Sequence, residues 1–319
     1  MNARPDVVAV GNAIVDVLAP TPEEVVRENG LVKGTMRLVD SAEAERLYAS
    51  MGPATEMSGG AAANTAVGVA LLGGNAHFVG KVAGDQMGKV FTHDIRAVGV
   101  GFDVEPAPEG TTGRCLVMVT PDAQRTMSTS LGVAGELGPA DIDVQLVRSA
   151  AWTFLEGYLW DPPSARAAVA RAASNAVSVA FSLSDPLLVE RHREDLRRFC
   201  DEHVDLLFGN EDEIRTLAGN DDLTEALADV RRLCPMVVAT RSENGSIVLT
   251  GDGQVEVPAA PIAKVVDTTG AGDLYAAGFL VALCRGLGPA ECAELGGRAA
   301  AAVISRLGAR PDPTSPPFA

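Results

Sequence analysis

The sequence predicts an α/β fold: a three-layer α/β/α domain with a mainly parallel central sheet, and a small β-sheet beside it. Two observations carry this. From residue 139 onward, apolar strand signals alternate regularly with helical patterns, as a parallel sheet covered on both faces requires. Between 102 and 131 that rhythm breaks into short strand-like runs without helices, which suits a separate small sheet. The chain has 319 residues, 47 % of them apolar, enough for one large domain or a large domain with a small one.

Composition narrows the function classes. The formal net charge is −16 and no Lys/Arg cluster occurs, so a nucleic-acid partner is not expected. No apolar run is long and uncharged enough for a membrane span, and Met1-Asn2-Ala3-Arg4-Pro5 does not open like a signal peptide. Five scattered cysteines without a Cys-x-x-Cys pair predict reduced thiols in a cytoplasmic protein; a monomer or homodimer is expected. In so acidic a chain, an anion can bind only where dipoles, an arginine or a metal ion overcome the general field.

Taken in order, residues 6–11 form a first strand that ends in Gly11. Asp16 follows as an isolated acid among Ile14, Val17 and Leu18. A carboxylate there suits either a strand end or the grip of a diol, since it accepts from two hydroxyls. Prolines and glycines punctuate 19–34, and 35–40 is strand-like. A helix is expected over 43–51. Ser58-Gly59-Gly60 then opens an apolar helix to Leu72, with Asn64 in its first turns; the serine can act as a simple N-cap. A strand at 76–80 and a helix at 88–98 follow, then short strands at 102–104, 113–119 and 125–130. Helices are expected at 139–147, 164–175 and 187–200, and strands at 151–155, 177–182 and 204–209. Asn210-Glu211-Asp212-Glu213 places acids where a helix begins, and capping alone would explain them. A strand at 236–240 leads into a hairpin, 246–249 with 254–257. A helix at 290–306 precedes a proline-rich tail.

The most informative stretch is Asp267-Thr268-Thr269-Gly270-Ala271-Gly272-Asp273, followed by a run from Leu274 that is apolar all round. Such a run predicts a helix with no solvent face. The turn before it carries nothing larger than a methyl at 270–272, so another group can approach the backbone. A helix N-terminus offers unpaired amides and a positive dipole end, which select an anion. Asp273 then has two readings. It is a first-turn acid favoured by the dipole, or it accepts a proton from a hydroxyl that attacks a phosphoryl group held at the turn.

The string at 267–273 resembles the second signature of the ribokinase-like (PfkB) carbohydrate and nucleoside kinase family, and 57–66 resembles its first. The resemblance spans essentially the whole chain and implies transfer of the ATP γ-phosphoryl group to a primary hydroxyl. By it, Gly270, Ala271 and Gly272 form the anion hole and Asp273 is the base. Asp16, Gly59, Gly60 and Asn64 meet the sugar. Asn210 and Glu213 help hold Mg²⁺ and phosphate, Glu213 through water, as suits a hard cation that keeps its waters. Thr240 falls with the nucleotide contacts, although Arg241 or Ser242 stands where the family usually has glycine. Asp267 and Thr269 fall on a monovalent-cation (K⁺) site. Segments 11–16, 125–132, 154–159, 181–186 and 204–213 are most similar to adenosine kinases. That similarity sends Arg125 toward the phosphates, lays Met127 over the base and sets Tyr158 beside the substrate; Tyr158 as a core residue is the alternative. The small sheet would be a lid built from segments near 17–40 and 102–131 of one kinase domain, 1–319. Fructose, ribose or another nucleoside remains an alternative acceptor, and a non-catalytic binding regulator is the rival class. Dinucleotide-binding and Walker-type readings fail, because neither Gly-x-Gly-x-x-Gly after the first strand nor Gly-x-x-x-x-Gly-Lys-[Ser/Thr] is present.

Overall fold

The computed structural model of the protein describes residues 4–122, 124–306 and 308–310. Val7–Val10 is apolar at every position, and all four side chains are buried. A strand with no polar face belongs inside a covered sheet. It pairs in parallel with Ala76–Val79 on one side and Trp152–Glu156 on the other. Val7 and Ala9 enter one apolar cluster, Val8 and Val10 the opposite one, as the two-residue alternation of a strand requires. Beyond Trp152–Glu156 the sheet runs through Val179–Ser182, Leu206–Asn210 and Met236–Thr240, all parallel. The antiparallel hairpin Ser246–Thr250 and Gly253–Val257 closes that edge. The chain thus leaves the first strand toward both sides, which makes its carboxyl end a topological switch point, the usual ligand crevice of such sheets.

One face of the sheet carries helices Ala61–Leu71, Ala271–Cys284 and Pro289–Ile304; the other carries Pro163–Ala173 and Pro186–His203. Leu274 through Ala282 are buried without exception, as the all-round apolar run predicts. Small residues set how closely the helices pack. A Cβ added to Gly68 would stand 2.6 Å from that of Ala277, and one on Gly278 would stand 2.7 Å from the Leu295 carbonyl oxygen.

The second sheet has the order Met36–Leu38, Arg125–Ser130, Gly113–Val119, Ile14–Pro20, Thr55–Gly59. One face buries Val17, Leu116 and Met118 against Val26, Ala44 and Leu47 of helices Glu23–Glu28 and Ser41–Ser50. The other groups Leu18, Cys115, Val117, Met57 and Met127, and alternation along Ile14–Pro20 puts Asp16 on this face with Leu18. The sheet differs from the expected segments. It starts at Ile14 and gains Thr55–Gly59, while 102–104 forms no strand. Phe102 is instead taken into a triad with Phe78 and Phe91, with ring centroids 5.4–5.8 Å apart. The expected helix at 139–147 is divided into a 3₁₀ turn, Pro139–Asp141, and Val144–Ser149, because Asp143 caps the second piece by accepting from the Gln145 and Leu146 amides.

Among the described residues, no helix is long and apolar enough to cross a membrane, and all five cysteines are free thiols. Gly278→Val should destabilise the protein by about 1–3 kcal/mol, because a branched side chain would be forced into backbone that cannot rotate away. Urea unfolding measures this; an unchanged midpoint would show that the two helices can separate at no cost.

Candidate active site

Helices Ala61–Leu71 and Ala271–Cys284 begin side by side next to the switch point. Their N-caps, Gly60 (φ 94°) and Gly270 (φ 78°), both take backbone conformations that L side chains avoid. Glu156, at the end of its strand, accepts from the Asn12 amide at 2.8 Å, the Asn12 side chain at 2.7 Å and the Ala62 amide at 2.7 Å. One carboxylate therefore ties the first strand's turn to the start of the first helix. The second helix has no capping side chain. A Cβ on Gly272 would meet nothing within 4 Å, so open space adjoins its first turn. The Ala271 amide donates to the Thr268 carbonyl at 3.2 Å, while those of Gly272 and Asp273 have no partner among the described residues; free amides next to open space are what an anion needs.

Asp273 projects from that turn. Its Oδ2 accepts from Asn64 Nδ2 at 2.9 Å, and Thr65 Oγ1 donates to the Asp273 carbonyl at 3.2 Å. Burial raises the Asp273 carboxyl to about 7; the Asn64 bond opposes that shift, the Glu156 charge adds to it and Arg310 counters it. Asp16 faces the same site from the second sheet and is raised to about 6 by burial, against the charges of Arg310 and Arg125. Its carboxyl lies directly on Gly59, where any Cβ would collide with it. The glycine at 59 thus makes room for Asp16, a reason additional to substrate approach. Asn64 also accepts from Arg310 Nε at 2.8 Å. One N–H and one lone pair of its amide remain for a ligand.

Arg125 does not lie free toward a phosphate. It forms an ion pair with Asp267 and donates to Thr269 Oγ1 at 2.8 Å. Asp267 also accepts from the Thr269 amide (3.0 Å), Thr269 Oγ1 (2.7 Å) and the Gly308 amide (2.6 Å). These bonds occupy both carboxylate oxygens of Asp267, the residue expected with Thr269 at a monovalent-cation site, and a guanidinium supplies positive charge beside it. The guanidinium still bonds Thr269, the residue just before Gly270, and fixes the second sheet to that turn.

Asn210 and Glu213 form a reciprocal capping box, with bonds of 2.9 Å in both directions. Each Glu213 oxygen keeps one lone pair, which fits contact with Mg²⁺ through water rather than a direct cage. Among the described residues, no group of three or more His, Cys, Asp or Glu could hold a metal ion. Burial pushes the Glu213 carboxyl up to about 7. Asn210 and Thr240 line a polar cavity of about 260 Å³ together with Arg241 and Asn244. Ser242 in that loop has φ 49°, so the left-handed backbone natural to glycine is kept although the glycine is not. Tyr158 donates to the Ser184 carbonyl at 3.0 Å and packs on the core below, within the field of Asp273. Met127 lies on the face of the second sheet that carries Asp16. Beside it, burial and the Asp16 charge push the Cys115 thiol up to about 12.

The pfkB family carbohydrate kinase pattern matches residues 43–315 of this chain. The chain belongs to that family. Its members' reaction is phosphoryl transfer to a hydroxyl group, with ATP as the donor, and this chain is a nucleoside or sugar kinase of that type. The adenosine kinase of Sinorhizobium meliloti is a similar solved structure, with 46 % identity over 97 % of this chain and 96 % of that one, at a TM-score of 0.91. A probable sugar kinase from Rhizobium etli is 44 % identical over 97 % and 95 %, also at 0.91. Adenosine kinase 1 of Arabidopsis thaliana is 28 % identical over 94 % of both chains.

Three residues that this PfkB kinase brings to the site were not singled out in the sequence: Asn12, Glu156 and Arg310. Glu156 carried a signal, as the one charge in the apolar run Trp152–Glu156. Arg310 carried none beyond being a lone cation in a proline-rich tail. Gly272→Val should leave the melting temperature near wild type, since its Cβ meets open space, but lower turnover on the order of 10²-fold by filling the anion position. A collapsed melting temperature with unaltered ATP affinity would make this glycine a packing residue.

Proposed function

We propose that the protein phosphorylates the primary hydroxyl of a nucleoside, with adenosine as the acceptor and AMP as the product. The observation that carries the reading is the convergence of Asp273, Asn64 and Asp16 from three elements beside an uncapped, glycine-lined helix start. Asp16 accepts two neighbouring sugar hydroxyls, and the spare N–H of Asn64 donates to one of them. Asp273, raised to about 7, takes the proton of the attacking hydroxyl. The amides at 270–272 receive the charge of the transferring group. Mg²⁺ bound with the nucleotide would neutralise its phosphates, with Glu213 behind it through water. The Asn210–Thr240 cavity suits part of the nucleotide.

Adenosine is favoured over a sugar for two reasons. Leu18, Met57, Val117 and Met127 form an apolar wall on the face that carries Asp16, as suits a base beside the sugar, and the 46 %-identical relative is an adenosine kinase. A sugar acceptor is the second reading, which the 44 %-identical probable sugar kinase supports. In either case, 1–319 acts as one kinase domain, with the second sheet as its lid. Buried reduced thiols suit the cytoplasm.

A coupled ADP assay over nucleosides and sugars tests the acceptor; turnover of a hexose or free ribose without adenosine would replace it. Asp273→Asn should cost about 10²–10⁴ in rate with ATP binding retained, and wild-type turnover would make Asp273 structural. Asp16→Ala should weaken acceptor binding and spare ATP. If adenosine is used, 2′-deoxyadenosine should bind more weakly by roughly 1–3 kcal/mol, because a buried carboxylate loses a partner. Equal binding of the two nucleosides by calorimetry would remove Asp16 from the sugar site.

A further inference from the structure

The segment Gly308-Ala309-Arg310 follows the last helix and crosses the site. Gly308 donates its amide to Asp267 and packs on Met57 of the second sheet. Ala309 lies so close to Gly270 that a Cβ on that glycine would collide with its backbone. Arg310 then reaches between the two sheets. Its Nε donates to Asn64 Oδ1 at 2.8 Å and its Nη1 to Ser58 Oγ, while Nη2 is buried with no partner among the described residues. Three carboxylates lie in its field, Asp16, Asp94 and Asp273, yet it forms no ion pair with any of them among the described residues. Neutral partners therefore orient this cation, and its charge is shared rather than spent on one carboxylate.

The consequence runs through Asn64. An amide side chain can be turned end for end with little change in shape. In this site, the Arg310 Nε–H can bond only to an oxygen, so it requires Oδ1 on its own side and thereby sends Nδ2–H to Asp273 Oδ2. We propose that Arg310 is a positioning residue for the phosphoryl transfer: it fixes the Asn64 amide so that Asp273 is held by an N–H donor beside the anion turn. The inference rests on the functional reading above and adds to it a residue outside the two signature motifs. The charges facing Asp273 agree with it: Glu156 from the central sheet and Asp16 from the second sheet favour its protonated form, and the Arg310 guanidinium opposes them. Tyr158 faces it as a neutral phenol whose ionisation burial opposes.

The test is a comparison of Arg310→Met, Arg310→Lys, Asn64→Ala and the Arg310→Met/Asn64→Ala double variant in the full chain. The wild type is assayed first with ATP and the nucleoside and sugar panel. If the wild type uses no acceptor, the functional reading falls; if it does, the variants judge this inference alone. Arg310→Met should lower kcat by up to about 10²-fold, as expected for a misplaced catalytic group, with little change in the KM for ATP. The acid limb of its pH–rate profile should move to higher pH, because a base that has lost a nearby cation holds its proton more tightly. Arg310→Lys should return the limb toward the wild-type position without restoring kcat, since an ammonium supplies the charge but not the fork. In the Asn64→Ala background, Arg310→Met should cost far less than in the wild type. Wild-type kcat with an unmoved acid limb in Arg310→Met, or an equal loss in both backgrounds, overturns the proposal. Should Arg310→Met melt at the assay temperature, Arg310→Lys decides: a folded Lys variant with wild-type kcat overturns the proposal, and one with lowered kcat supports it.

Discussion

The site depends on one packing constraint, the close approach of helices Ala61–Leu71 and Ala271–Cys284. Gly68 against Ala277 lets their backbones meet where larger residues would hold them apart. That distance carries the N-terminus of one helix to the first turns of the other, and Asn64 reaches Asp273 across the gap. Apolar burial therefore does chemical work in this fold. It sets the place of two polar side chains that neither helix could fix alone, and it removes water from around them.

The same burial creates an electrostatic problem. Asp16, Glu156 and Asp273 share one region of an already acidic protein, and the first and last would repel if both were ionised without help. Glu156 is settled by three donors from two chain segments. Asp273 has one donor from Asn64, and Asp16 has none among the described residues. The arginines supply the remainder: Arg310 lies in the field of both, while Arg125 affects Asp16 as it saturates Asp267. Carboxylates left under-bonded in the absence of ligand are those assigned to bind hydroxyls or take a proton; the fully bonded ones, Glu156 and Asp267, hold the framework.

Much of this was legible in the sequence where residues obey a strong period or a rare local pattern. The buried helix from Ala271 was readable because no face of it is polar, and the turn before it because three small residues precede an acid. Two kinds of feature were not. Thr55–Gly59 alternates weakly, with Glu56 and Ser58 where a core strand would show apolar residues, so only its pairing with Ile14–Pro20 reveals it. Phe102 looks strand-like alone, and only the Phe78–Phe91 pair explains its burial. Arg310 and Glu156 act across separations of 246 and 144 residues to reach Asn64 and Asn12. No local pattern encodes such contacts. The ion pair of Asp267 was hidden for a similar reason, since Arg125 arrives there from a strand of the other sheet.

Cys115 shows what the crowding of negative charge does to a neighbour. Its thiol lies on the same face as Asp16 and receives a hydrogen bond from Thr129 at 3.3 Å. With its acidity suppressed to about 12, it carries almost no thiolate at neutral pH, and the thiolate is the form that attacks electrophiles and peroxide. The face that carries Asp16 is thus walled by a cysteine that behaves as a small hydrocarbon.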